Sequence, residues 1–315
     1  MTATPAFLDS ARPDVPDIVV PRGVTPFRLP NRPVRGRLVR LGKLADALLT
    51  RHENHPSVTA LAGQTLALVA GLASALKFSG WFSLHAKGDG PVGMLLADCT
   101  DTGALRGYAR ADAEKLAALL ARDAAPSAAA LLGMGYLAFT VDQGLDRERY
   151  QGMVQIEGAT LADMALHYFA SSEQLQAHVR LACAETPGGW RAAALVLERV
   201  AEGASLDLDE AAQDDSWQTA LALAATVTDR ELLDDALPAE TLIWRLFHGE
   251  GVQADRPRAL AYGCRCSRQR LAGILAGFSA EDLDHMAEDG EISMKCEFCN
   301  LEFRFARDDV RGGKK

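Results

Sequence analysis

The sequence predicts an α+β protein with an antiparallel-sheet-containing amino-terminal domain, a helical acidic linker and a small zinc-binding carboxy-terminal domain. Three observations support this. Strand and helix patterns alternate through the first 200 residues, acidic residues concentrate in the middle of the chain, and four of the six cysteines lie near its end. The predicted parts are a leader extension at 1–30, the amino-terminal domain at 31–203, the linker at 204–258 and the zinc domain at 259–315.

The composition is that of a globular protein. With 315 residues, of which 48% are hydrophobic, the chain is long enough to bury a substantial core. Its start lacks the basic and apolar regions of a signal peptide, and no run of about 18 apolar residues is free of polar interruptions. A cytoplasmic protein without a membrane partner is therefore predicted. In that reducing compartment six cysteines are too few for a disulfide scaffold, and their clustering indicates metal or redox chemistry.

The amino-terminal domain is predicted to begin with one strand and two helices. Residues 35–42 (RGRLVRLG) follow a Pro-rich leader and suggest a short strand. Residues 43–52 and 57–76 then carry apolar residues at helical spacing and few helix breakers. Two helices therefore follow the strand.

An antiparallel meander is predicted next, over residues 81–110. Three β-rich runs are separated there by two groups of turn formers, Gly88-Asp89-Gly90 and Asp101-Thr102-Gly103. The same patterns predict the rest of the domain, in order: a helix at 111–121, strands at 135–142 and 150–158, a helix at 161–171, and strands at 178–185 and 190–200.

The middle of the chain is strongly acidic. Residues 201–240 hold eleven carboxylates against one base, Arg230, a net charge of −10 where the whole chain carries −9. Amphipathic helices are nevertheless available, because apolar residues recur on one helical face; these include Trp217, Leu221, Leu233, Leu237 and Phe247. They predict helices that cover the amino-terminal domain while their carboxylates face water. From charge alone, a solvated inter-domain linker is the more conservative interpretation.

The clustered cysteines predict a zinc site. Cys264 and Cys266 are followed after 29 residues by Cys296 and Cys299, and two thiol pairs at such a separation match a four-cysteine zinc site. Helices are predicted at 268–278 and from Ser279 to a stop at Gly290, and the strand-like runs EISMK and LEFRF flank the second pair.

Zinc suits four thiolates because it prefers tetrahedral sulfur at about 2.3 Å and has no redox chemistry of its own. One zinc per chain is predicted in the reduced protein. Nearby bases would offset the negative charge of the site: Arg265, Arg268, Arg270 and Lys295. So small a domain has little core, and removing the metal should unfold it.

The Cys264-Arg-Cys266 pair departs from the usual Cys-x-x-Cys knuckle. Two thiols this close can come within reach of a disulfide, although so small a ring is strained and easily reduced. The spacing leaves two interpretations open: a redox switch, or a structural zinc knuckle whose thiolates never react.

The sequence resembles the redox-regulated holdase chaperones of the thirty-three-kilodalton heat-shock-protein family. The signature is Cys264-Arg-Cys266-Ser-Arg, then EDGEI, then Cys296-Glu-Phe-Cys299. Further motifs of the family occur in the same order before it: KGDGPVG (87–93), RGYAR (106–110), YQGMVQIEG (150–158) and SSEQL (171–175). Together these motifs are specific, and the resemblance covers roughly residues 30–305.

The resemblance implies a chaperone, not an enzyme, that is zinc-bound and inactive when reduced. Oxidation by peroxide with heat, or by hypochlorous acid, would form the disulfides Cys264–Cys266 and Cys296–Cys299 and release zinc. The zinc domain and the linker would then unfold and expose a surface that binds unfolding client proteins. It also implies an oxidised homodimer and transfer of clients to ATP-dependent foldases. The additional Cys99 and Cys183 lie in apolar runs and are expected to be buried and inert.

Other function classes fit less well. A four-cysteine zinc protein could instead bind nucleic acid or a protein partner without redox switching. Nucleic acid is disfavoured because residues 251–315 carry eleven acidic and eleven basic side chains beside a −10 segment, which leaves no basic footprint. A zinc enzyme would need an open coordination position, which a four-cysteine site does not offer.

Overall fold

The computed structural model describes residues 17–144, 148–200 and 210–311. They fall into two compact units, Ile18–Tyr262 and the part of the chain from Gly263 onward. The mixed α+β class is confirmed, with a large, mostly antiparallel sheet. Residues 1–16 of the predicted leader and 204–209 of the predicted linker lie outside the described residues.

One eleven-stranded sheet organises the first unit. Its order is β7-β6-β3-β4-β5-β11-β1-β2-β9-β8, with β10 paired to β1, and only the β11–β5 pair is parallel. The strands are β1 (Val19–Leu29), β2 (Val34–Arg40), β3 (Trp81–Gly88), β4 (Val92–Thr100), β5 (Ala104–Ala111), β6 (Gly135–Asp142), β7 (Tyr150–Gln155), β8 (Ala177–Thr186), β9 (Gly189–Arg199), β10 (Gln253–Ala254) and β11 (Arg258–Tyr262).

Helix α2 (Pro56–Ala75) fills one face of this sheet. A Cβ placed on its Gly71 would lie 3.2 Å from Val39 of β2 and 3.4 Å from Val196 of β9, so the helix backbone lies close to the strands. Helix α2 is long and apolar enough to cross a membrane, but 78% of its most apolar 18-residue stretch is buried inside the protein, as in a core helix. The other helices up to β9 are α1 (Lys43–Leu49), α3 (Ala113–Leu120), α4 (Ala128–Leu132) and α5 (Leu161–Ser171).

The helices of the acidic segment pack on the opposite face of the sheet, over β1, β2, β8 and β9. Side chains alternate along a strand, so where Val39 and Val196 face α2, their neighbours Leu38 and Leu195 face the other way. There they join one buried apolar cluster with the acidic helices. These helices are α6 (Glu210–Ala224), α7 (Asp229–Leu233) and α8 (Ala239–Phe247), followed by a 3-10 turn at His248–Glu250.

The second unit is small and has its own compact core. It consists of α9 (Arg268–Leu275), α10 (Ala280–Met286), the hairpin strands β12 (Glu291–Lys295) and β13 (Glu302–Ala306), and α11 (Arg307–Arg311). Six apolar side chains in it are at most 7% exposed: Leu275, Leu283, Ile292, Phe303, Phe305 and Val310. A core of this size cannot stabilise a domain by itself.

The structure differs from the sequence-based prediction in several places, among them the two ends of the first unit and the helix stop predicted at Gly290. Strand β1 lies within the predicted leader extension, and its prolines argued against a strand there. The pairing of β1 with β11 is irregular between Val20 and Val24, where Pro21 needs no hydrogen-bonding partner. Strand β11, most of which lies in the predicted zinc domain, joins the large sheet. Gly290 does not end a helix: α10 stops at Met286, and Gly290 forms a tight turn with a positive φ of 78°.

Candidate metal centre and linker interface

The four clustered cysteines converge on one point. The Sγ atoms of Cys264, Cys266, Cys296 and Cys299 all lie within 4.8 Å of one another. The Sγ–Sγ distances are 3.5 Å from Cys264 to Cys266, 3.6 Å from Cys264 to Cys296 and 3.2 Å from Cys266 to Cys299. Within the part of the chain that the structure describes, no other group of three or more His, Cys, Asp or Glu residues is gathered in this way.

A helix N-cap and a tight turn hold the backbone beside the two cysteine pairs. After Cys266 the chain enters α9, whose N-cap Ser267 accepts a hydrogen bond from the Arg270 N–H at 3.1 Å. The second pair lies in the tight turn between β12 and β13. There the Asn300 N–H donates to the Cys296 carbonyl at 2.8 Å, and Asn300 adopts the left-handed conformation that asparagine tolerates, with φ of 59°.

This donor set fits a tetrahedral metal ion. Four sulfurs at about 2.3 Å from one ion are about 3.8 Å apart, close to the distances seen here. Cys264, Cys266 and Cys299 are at most 7% exposed. Hydrogen bonding among the four thiols lowers the pKa of Cys264 to about 7 and also lowers that of Cys296, whereas it raises the pKa of Cys266 and Cys299. Two of the thiols therefore ionise readily, and a metal ion would displace the protons of the other two. The four cysteines are therefore able to hold one metal ion.

Arg268, one of the four bases expected near the site, contacts an aromatic ring. The guanidinium carbon of Arg268 lies 4.7 Å from the centre of the Phe305 ring, a cation–π contact between α9 and β13. Phe305 is 4% exposed and belongs to the small core. Arg268 therefore helps to join the helix after the first thiol pair to the strand after the second.

The apolar residues singled out in the acidic segment lie against the sheet. Trp217, Leu237 and Phe247 are at most 8% exposed, and Leu221 and Leu233 are partly buried against the same cluster. The sheet contributes Phe27, Leu29, Val34, Leu38, Ala182, Ala193, Leu195 and Leu197. We call this the linker interface. When α6–α8 are in place, they cover these strand residues.

Phe247 occupies the centre of this interface. Its ring centroid is 5.3 Å from that of Phe27, and both side chains are at most 1% exposed. The Phe27 ring lies over Gly36 of the neighbouring strand, where an added Cβ would come within 2.1 Å of it. Only glycine at position 36 leaves room for the ring, so the strands are shaped to accept an aromatic pair.

Several carboxylates of the acidic segment form ion pairs as well as facing water. Five carboxylates of α6–α8 and the turns beside them pair with arginines of the sheet or, for Arg32, of the turn between β1 and β2. They are Asp214 with Arg199 (2.5 Å), Asp229 with Arg180 (2.7 Å), Asp235 with Arg191 (2.6 Å), Glu240 with Arg22, and Glu250 with Arg32. A count of net charge cannot reveal such pairs, because the partners lie far apart in sequence. The segment is attracted to the sheet as well as repelled by itself.

The two remaining cysteines are separate from the metal centre. Cys99 on β4 is 1% exposed, and Cys183 on β8 packs against the α2 backbone, where an added Cβ on Gly63 would come within 2.3 Å of its Sγ atom. Burial raises the pKa of each thiol to about 12. Both are therefore protonated and poorly nucleophilic at neutral pH.

Comparison with known proteins identifies the family of this chain. The sequence model of the family described as Hsp33 protein matches residues 23–306. The chain belongs to the Hsp33 family. The resemblance noted from the sequence is thereby confirmed, and the chain is a chaperone, whose general partners are unfolded client proteins.

Related Hsp33 proteins match over most of their length. The 33 kDa chaperonin of Caulobacter vibrioides is 42% identical over 286 residues, covering 89% of this chain and 93% of the relative. That of Pseudomonas aeruginosa strain LESB58 is 37% identical, covering 90% and 91%. The crystal structure of the 33 kDa chaperonin of Thermotoga maritima superposes with a TM-score of 0.74 at 19% identity, covering 92% of this chain and 97% of that one, and so shares the fold.

Proposed function

We propose that this Hsp33 chain is an ATP-independent holdase that oxidation of its four clustered cysteines switches on. One observation carries the proposal: four thiols converge in a unit with a six-residue core, in the same chain as an apolar sheet face covered by acidic helices. A chaperone needs exposed apolar surface to bind unfolding proteins, and such a surface is an aggregation hazard unless it is covered at rest. The linker interface meets both requirements.

In the reduced state the four cysteines would hold one zinc ion as thiolates. Zinc is the ion that tetrahedral sulfur selects, and four protein ligands leave it no open position for catalysis. Binding would supply folding free energy on the order of 10 kcal/mol, which the small apolar core of this unit lacks. The role of the metal is therefore structural.

Oxidation would join the thiols in the pairs Cys264–Cys266 and Cys296–Cys299. In each pair two thiolates lose one electron each as the S–S bond forms. One hydrogen peroxide accepts these two electrons and two protons from the solvent to give two waters, and the metal ion leaves the oxidised sulfurs. All four sulfurs lie within 4.8 Å, so contact alone does not select the pairing. Sequence proximity favours these pairs, because the shortest loops lose the least entropy on closing once the site opens. A single disulfide already removes two of the four metal ligands.

Loss of the metal would unfold the carboxy-terminal unit and release the linker helices. The strand residues of the linker interface would then be available to clients, and the freed carboxylates would keep the complex in solution. As in the family resemblance, we propose that the oxidised chain is a homodimer, acts in the cytoplasm and passes clients to ATP-dependent foldases.

The test compares two forms of the same protein. Reduced, zinc-loaded chain and peroxide-treated chain are each added without ATP to a heat-unfolding client, and light scattering is followed while zinc and free thiols are counted. We expect suppression only by the oxidised form, with loss of one zinc and four thiols per chain. Equal suppression by both forms would show an unregulated binder, and suppression by neither would refute the holdase proposal.

A further inference from the structure

Two arginines of the sheet reach into the connection between α7 and α8. Arg40 ends β2, where it is in register with Ala193 of β9, and Arg191 lies two residues earlier on β9. Both extend toward the face that the linker helices cover. We propose that Arg40 and Arg191, here called the arginine clamp, lock the linker in its docked position independently of the metal centre. The inference rests on the proposed function, in which the docked linker is inhibitory.

Arg40 holds the linker by its backbone. Its guanidinium donates one hydrogen bond to the carbonyl of Glu231 in α7, at 2.5 Å, and another to the carbonyl of Leu237 just before α8. The last carbonyls of a helix have no partner within it, and α7 has only five residues. Arg40 therefore gives hydrogen-bond partners to two linker carbonyls, and these bonds are lost when the linker undocks.

Arg191 holds the same turn by a side chain. Its Nε donates to Oδ2 of Asp235 at 2.6 Å, and its side chain is only 7% exposed. Its Nη1 also donates to the carbonyls of Gly188 and Trp190, at 2.8 and 3.0 Å, within its own hairpin. These bonds fix the guanidinium before the linker arrives, so little side-chain entropy is lost when Asp235 docks.

The arginine clamp contacts the part of the linker that buries the fewest apolar side chains. The helices α6 and α8 each bury several apolar side chains, whereas α7 and the turn after it bury Leu232 and Leu237 and partly bury Leu233. Polar contacts with a buried arginine are stronger than exposed ion pairs, which contribute little. The exposed pair between Arg180 and Asp229, with side chains 48% and 58% accessible, therefore serves as a natural contrast.

The docked linker depends on two separate restraints, the clamp and the metal centre, and the loss of either one favours its release. Loss of the metal would remove the restraint at the carboxy-terminal end of the linker, while the clamp holds its middle through contacts that oxidation of thiols does not alter. Weakening the clamp should therefore release the linker while the metal stays bound.

The experiment uses full-length Arg40→Met protein in the reduced, zinc-loaded form. Methionine keeps most of the apolar volume and removes both hydrogen bonds. We expect one zinc per chain to remain, cleavage of the linker by thermolysin to become at least about tenfold faster, and suppression of client aggregation to appear without oxidant. Arg180→Met is the matched control, because it removes an exposed arginine that also contacts the linker; its cleavage rate should stay within about twofold of the parent.

A second variant tests the clamp independently, in case Arg40→Met does not fold. Asp235→Asn removes the charge that Arg191 binds from the linker side and leaves the sheet unchanged; it should also accelerate cleavage and retain zinc. Cleavage within twofold of the parent in both variants, with zinc retained, would overturn the clamp. Faster cleavage without holdase activity, in a chain that is also inactive when oxidised, would support the clamp and refute the proposed function instead.

Discussion

Truncation of Phe247 should activate the chaperone without any oxidant. The side chain is fully buried in the linker interface, against Phe27 at 5.3 Å. Replacing a buried phenylalanine by alanine costs about 3–5 kcal/mol, because the transfer free energy is lost and a cavity remains. The undocked linker exposes position 247 in either variant, so this cost falls on the docked state. At about 1.4 kcal/mol per factor of ten, the ratio of docked to undocked linker falls by more than about a hundredfold.

The assay needs reduced, zinc-loaded Phe247→Ala protein and a matched control. Trp244→Ala truncates a larger side chain on the same helix, but Trp244 is 60% exposed, and its ring lies tilted beside that of His248 at a centroid distance of 4.8 Å. We expect thermolysin to cleave the linker of Phe247→Ala rapidly and the variant to suppress client aggregation, with zinc still bound. Trp244→Ala should match the parent within about 0.5 kcal/mol, the usual effect of a surface substitution.

Two results would refute this reasoning. If zinc-loaded Phe247→Ala resisted cleavage and stayed inactive like the parent, the docked linker would not depend on its aromatic contact with the sheet. If Trp244→Ala were activated to the same extent, the effect would come from helix α8 in general and not from burial in the linker interface.

Three further predictions address the metal, the sheet and pH. Cys296→Ser should abolish stoichiometric zinc in elemental analysis of reduced protein and unfold the carboxy-terminal unit; a full equivalent of zinc would contradict this. Gly36→Ala should displace the Phe27 ring, which an added Cβ would approach to 2.1 Å, and speed linker proteolysis; unchanged proteolysis would contradict it. Hydrogen bonds from Thr228 lower the pKa of Glu231 below its ordinary 4.5. The Glu231 carboxylate therefore stabilises the α7 cap fully above pH 4.5, and this stabilisation is lost as the pH falls through the lowered pKa. The protection of the α7 amides, taken relative to their intrinsic exchange rate at each pH, should therefore fall there, with a smaller pH effect in Glu231→Gln.

Local patterns predicted most elements of the first unit because each depends on neighbours in sequence. The helix at Leu161–Ser171 was predicted with these bounds, and the structure shows why it starts there: Thr160 and Asp163 form a reciprocal capping box. The meander of β3, β4 and β5 was likewise predicted from its two turns. Such features are decided within a few residues of chain.

Long-range pairing could not be predicted in the same way. Strand β1 pairs with β11 more than two hundred residues later, and neither its prolines nor its weak alternation indicated a central strand. The ion pairs of the linker were also hidden, because the charge count sums Asp235 with its acidic neighbours and does not show that Arg191 faces it. Convergence of the four cysteines was foreseeable, since the chain had only to return once to close the site.

The connection between the linker and the first thiol pair explains how one event could reach both. After α8 the chain passes through β10 and β11, and β11 ends at Tyr262, two residues before Cys264. Strand β11 shares two residue pairs with β5 and three with β1, and its pairing with β1 is irregular between Val20 and Val24. A metal-bound Cys264 would anchor its far end with binding free energy on the order of 10 kcal/mol. The linker itself must dock with no more than a few kcal/mol, or losing that anchor would not release it. The same limit explains why the loss of one buried ring, at about 3–5 kcal/mol, should be enough to release it.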